Sequence, residues 1–139
     1  MTVRTRVMMA TVVVLVVGGL ATLLPLVAGS PEPREIIVVA RQMAFYVNDE
    51  VTPNPTIHAA PGERVRITLI SQDPGFDHDF AVAAWRVNSA VLHGEGRNSI
   101  VIQVPDKPGV TTYVCTRHAF MMKGIIEVSD PSTARDPEK

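Results

Sequence analysis

From residue 35 to residue 129 apolar and polar positions alternate in short runs. Val65, Ile67 and Leu69 interleave with Arg64, Arg66 and Thr68, and Ile100, Ile102 and Val104 flank Val101 and Gln103. A period of two sends one side of a segment into a core and the other into water, the pattern of a half-buried strand. On this basis strands are predicted at 36–40, 43–47, 56–59, 64–70, 79–84, 99–104, 111–115 and 124–128. Between them lie Pro61-Gly62, Asp73-Pro74-Gly75, Gly94-Glu95-Gly96 and Lys107-Pro108-Gly109, residues that preset or permit turn dihedrals. About eight short strands joined this way predict an all-β domain, a Greek-key β-sandwich. Outside the first 29 residues no 3.6-residue apolar period is sustained, and no internal repeat is present.

The N-terminal segment follows a different rule. Residues 7–28 are almost uninterruptedly apolar and carry no charge, and Arg4 and Arg6 precede them. That is the layout of an export signal, or of an anchor helix long enough to span a bilayer. Val27-Ala28-Gly29 offers small residues for cleavage before Ser30, and Pro25 and the Gly18-Gly19 pair favour that fate. A core helix is disfavoured because the segment has no polar face to meet water. Cleaved or tethered to the membrane through 7–28, the domain is expected in a periplasmic or other extracytoplasmic compartment. The predicted organisation is a leader at 1–29, a Pro-bearing linker at 30–34, a folded unit at 35–129 and a polar, disordered tail at 130–139.

Setting the leader aside leaves about 110 residues, enough for a single core and, on expectation, a monomeric domain. The net charge of −1 falls to about −3 without Arg4 and Arg6, which argues against a nucleic-acid partner. Cys115 is the only cysteine, so the chain cannot form an internal disulfide. Alone, it would read as a small buried hydrophobe. Its neighbours change that reading.

Residues 113–128 run YVCTRHAFMMKGIIEV. A predicted strand ends at Cys115, a short loop holds His118, Met121 and Met122, and a new strand follows Gly124. Thiolate, imidazole and thioether suit copper and disfavour magnesium or calcium, which seek oxygen. A copper ion of this kind is held by two imidazoles and one thiolate with a weak thioether above, so a second histidine must come from elsewhere. His78, in GFDHDFAV just after the Asp73-Pro74-Gly75 turn, is the best placed; His58 and His93 read as ordinary surface or core histidines.

These stretches resemble the cupredoxin family of blue copper proteins, most of all amicyanin, plastocyanin and azurin. PTIHAAPGERVRITLISQDPGFDHDFAV is similar to the family's Pro-Gly turn, alternating strand and His-bearing strand start, and DKPGVTTYVCTRHAFMMKG to its Cys-loop signature. The resemblance covers nearly the whole folded unit. It implies a single copper ion bound by His78, Cys115, His118 and Met122. Met121 is the rival axial donor; Met122 is favoured because Lys-Gly follows it. It further implies a carrier of single electrons between a donor and an acceptor protein, not an enzyme, with Phe120 in an apolar patch around the edge of His118.

One position departs from the family pattern. Many members place Asn after the first ligand histidine, where this chain has Asp79. A carboxylate has no N–H to donate, so Asp79 is expected to face solvent or pair with a cation such as Arg117, lowering the reduction potential. Two other functions compete: a copper-binding or delivery protein without electron shuttling, and an accessory protein like subunit II of haem-copper oxidases, whose binuclear centre would need two cysteines. No phosphate-binding loop, nucleophile elbow or supported carboxylate pair is present.

Overall fold

The first strand, β1 (Arg34–Arg41), buries Ile36, Val38 and Ala40 and leaves the residues between them more exposed, as its alternation dictates. It belongs to a computed structural model that describes residues 31–130; the predicted leader, and the predicted tail after Asp130, lie outside the described residues. Among the described residues the chain continues through β2 (Ala44–Val47), β3 (Ile57–Ala59), β4 (Arg64–Ser71), β5 (Asp77–His78) and β6 (Ala81–Val82). After a 3-10 turn at Ala83–Trp85 come β7 (Val87–Asn88), β8 (Leu92–His93), β9 (Gly96–Gln103), β10 (Gly109–Val114) and β11 (Lys123–Val128). No described helix is long and apolar enough to cross a membrane.

One sheet has the order β2-β1-β4-β9, a second β3-β11-β10-β6-β7, and β5 pairs with β8 in a small separate ribbon. β1 and β4 are parallel, as are β3 and β11, so the chain crosses between sheets instead of folding as successive hairpins. Val65, Ile67 and Leu69 of β4 meet Tyr113, Ile126 and Val128 of the second sheet in one apolar cluster. Burying each such side chain contributes about 1.5–3 kcal/mol, so this cluster is the main source of stability. The all-β sandwich is as the alternation predicts.

The predicted strand at 79–84 is the main departure. Of that range only β6 is strand; Asp79 and Phe80 precede it outside any element, and Ala83 and Ala84 belong to the 3-10 turn. At Phe80 a side chain replaces the strand ladder: the Ser89 hydroxyl accepts the Phe80 N–H at 3.0 Å, and the Ser89 N–H donates to the Phe80 carbonyl at 2.9 Å. Arg86, with a φ of 55°, then ends the turn. β7 and β8, at two residues each, are too short to carry a period.

Two aromatic residues fix the floor beneath the loops. Phe80 and Tyr113 stack with centroids 5.3 Å apart and rings 18° from parallel, and Phe45 meets both. Tyr113 pairs across the ladder with Gly124. A Cβ at Gly124 would collide with the Tyr113 ring and hydroxyl, so only glycine lets the ring lie across β11. The hydroxyl donates to the Pro55 carbonyl at 2.7 Å, which holds the ring there.

Candidate metal centre

Cys115 follows β10 directly and continues its alternation, so it shares the inner side with Tyr113. His78 ends β5, whose pairing with β8 sets its backbone. Both side chains are fully buried and His118 is half-buried. The Nδ1 atoms of both rings face the same sulfur, at 3.9 Å for His78 and 3.6 Å for His118. One donor atom from each residue lies within 4.8 Å of the others. Nitrogens about 2.0 Å and a sulfur about 2.3 Å from one ion would place each nitrogen ~3.7 Å from the sulfur, so both nitrogen–sulfur distances fit one small metal ion.

The loop that carries Cys115 and His118 closes on itself. The His118 N–H donates to the Cys115 carbonyl at 3.1 Å, the Met121 and Met122 N–H groups donate to the His118 carbonyl at 3.0 and 2.9 Å, and the Cys115 N–H returns to the Met122 carbonyl at 2.9 Å. Asn54, at a φ of 50°, ties this loop to β2: its amide donates to the Met121 carbonyl at 2.9 Å and its oxygen accepts the Phe45 N–H at 3.0 Å. Satisfied backbone groups of this kind make the loop a defined shape and not a floppy tether.

Asp79 corrects an expectation. It neither faces solvent nor pairs with Arg117. Its carboxylate is buried and accepts the Thr116 N–H at 2.6 Å and the Thr116 hydroxyl at 2.5 Å, joining the His78 segment to the residue after Cys115. Two donors on Thr116 replace the donor that Asp79 lacks, while Arg117 stays exposed. Burial pushes the Cys115 thiol up, backbone amides of Asp79, Arg117 and His118 oppose that rise, and the Asp79 charge adds to it. A cation held by the sulfur would offset this cost.

The far side of the His78 ring has its own partner, which the pattern of residues did not reveal. Nε2 lies 3.1 Å from Oδ2 of Asp73. That carboxylate also accepts the Gln42 N–H at 2.8 Å and approaches the Met43 N–H at 3.4 Å. Asp73 read in the sequence only as a turn residue. The available signal was an aspartate five residues before a candidate ligand.

The remaining candidates separate clearly. Met122 is fully buried in the same apolar cluster as Cys115, whereas Met121 is 55% exposed. Phe120 is 97% exposed, and Phe76, also exposed, sets its ring edge-on to His118 with centroids 6.3 Å apart. His58 pairs with Glu127 and His93 with Asp77 on the surface, and neither belongs to the cluster.

No family model matches the chain, and neither does any curated protein. Solved structures do. A rusticyanin variant shares 22% identity over 73% of this chain and 80% of its own, with a TM-score of 0.56. Auracyanin from the photosynthetic bacterium Roseiflexus castenholzii shares 14% over 72% of this chain and all of its own, at 0.57. Auracyanin A, a "blue" copper protein from Chloroflexus aurantiacus, shares 16% over 70% and 100%, at 0.55. At these identities the likeness is one of fold, and that fold is the cupredoxin sandwich.

Proposed function

We propose that this cupredoxin-fold chain is an exported type 1 copper protein that carries single electrons between redox partners. The observation that carries the reading is the convergence of two imidazole Nδ1 atoms on one buried thiol. His78, Cys115 and His118 would hold the ion, and Met122, buried in the same cluster as Cys115, would supply a weak thioether donor. Bound there, copper supplies a one-electron couple between Cu(I) and Cu(II). The copper proteins of the same fold point to the same metal.

The protein's own part is to keep the donors still. The closed loop at 115–122, the Asn54 bridge and the Asp79–Thr116 link hold them in one arrangement, which keeps reorganisation small when charge changes. Burial of His78 and Cys115 excludes water. Four donors leave no open position for a substrate, which favours a carrier over an enzyme. The half-buried edge of His118, which Phe76 meets edge-on and whose loop also carries the exposed Phe120 and Met121, is the proposed exit toward a partner. The apolar run at 7–28 supports a place outside the cytoplasm, with cleavage or tethering both compatible.

The test is a visible absorption and electron paramagnetic resonance spectrum of the copper-loaded chain, followed by redox titration. An intense thiolate-to-copper band, lost in Cys115→Ser, and a reversible couple are expected. A missing band would overturn the reading. A band without a reversible couple would point to copper storage or delivery.

A further inference from the structure

His78 is held from both sides of its ring, and only one side faces the cluster. Nδ1 looks toward Cys115 at 3.9 Å and Nε2 toward Oδ2 of Asp73 at 3.1 Å. A carboxylate accepts and does not donate, so this contact requires a proton on Nε2, and in the neutral ring that leaves Nδ1 bare. We propose that Asp73 is a positioning residue that presets the His78 tautomer before any metal arrives and strengthens His78 as a donor to the oxidised ion. The second half of this inference rests on the copper reading above; the first half does not.

Asp73 is itself fixed. Its side chain is 15% exposed and that of His78 fully buried, so water competes little for the contact. The Gln42 N–H donates to Oδ1 at 2.8 Å, and the Met43 N–H lies 3.4 Å from Oδ2. Gln42 and Met43 have φ values of 52° and 59°, a left-handed pair between β1 and β2 that aims successive N–H groups at the carboxylate. The strand-connecting turn thus orients Asp73, and Asp73 orients the ring. A carboxylate on the distal nitrogen raises the basicity of a ligating imidazole. A more basic donor favours Cu(II) over Cu(I), so Asp73 lowers the reduction potential.

Two measurements test this. In the metal-free full chain, nitrogen NMR of His78 is expected to show the Nε2–H tautomer; a predominant Nδ1–H tautomer would overturn the proposal, whatever metal the site takes. In the copper-loaded chain, Asp73→Asn is expected to keep the thiolate band, to weaken copper binding by roughly 10- to 100-fold, and to shift the couple about tenfold toward the reduced form, about 59 mV for one electron. An unchanged or lower potential would overturn it. So would an equal shift in Asp77→Asn, which removes a neighbouring carboxylate whose partner is His93. A wild-type chain with the Nε2–H tautomer but no thiolate band would sink the copper reading and leave the tautomer assignment standing. Should Asp73→Asn fail to fold, the wild-type NMR result still decides the tautomer assignment.

Discussion

Thr116 gives both its backbone N–H and its hydroxyl to Asp79, at 2.6 and 2.5 Å, so one carboxylate bridges the two segments that carry His78 and Cys115. Asp79→Asn keeps an acceptor for the N–H and removes a buried charge beside the thiolate. The expected result is a higher reduction potential, by about 60 mV for a tenfold change in the couple, with the visible band retained. Asp79→Ala breaks the bridge as well and should cost about 1–3 kcal/mol in urea unfolding. A potential unchanged in Asp79→Asn would remove the electrostatic role and leave the bridge alone.

Met122 and Met121 make opposite predictions. Met122→Leu preserves volume in the buried cluster but removes the thioether that tunes the ion, so the potential should shift and the spectrum change. Met121→Leu alters an exposed side chain and should leave both unchanged. Parallel redox titrations of the two variants decide which thioether serves the ion.

Gly124→Ala should destabilise the domain by about 2–3 kcal/mol, because the added methyl meets the Tyr113 ring and the backbone must shift. Tyr113→Phe keeps the ring and strips the Pro55 carbonyl of its donor, for a smaller loss of about 1–2 kcal/mol. Denaturant midpoints at constant slope measure both. A Gly124→Ala protein as stable as wild type would show that the ring can move aside.

Arg34 and Glu63 supply an acid-sensitive clamp. The Arg34 hydrogen bond holds the Glu63 carboxyl below its usual range, and the Ala60 N–H adds to that lowering against the opposing effect of burial. Because the folded-state value lies below the unfolded one, the stabilisation is complete above the ordinary carboxylate value of 4.5 and is lost as pH falls through the folded value. The pair is partly exposed, so the contribution is about 1 kcal/mol. Glu63→Gln should therefore lower stability at pH 7 by that amount and flatten its decline below pH 4.5, as read from urea unfolding across pH.

The alternation in β4 and β9 was legible because Val65 and Ile67 do lie opposite Ile102 and Ile100 on the core side, although Thr68 on the other side of β4 is buried as well, its hydroxyl donating to Glu35. The loop from Cys115 to Met122 was legible because three soft donors stand close together in sequence. Asp73, Asn54 and Asp79 were not, since each acts across a turn or between sheets, on a partner 5, 67 or 37 residues away. A local pattern reports what a residue is and which face it occupies; it does not report which distant amide will meet it. Asp79 shows this best. Its lack of a donor argued for solvent, yet Thr116 supplied two donors and made burial tolerable.

Of the three donors grouped in the cluster, His78 and Cys115 are sealed and His118 alone reaches the surface, beside the fully projecting Phe120. Under the copper reading, electron traffic and access by competing chelators share a single doorway. A redox partner seated on Phe120 would close that doorway to everything but the electron, so docking and metal retention become one event.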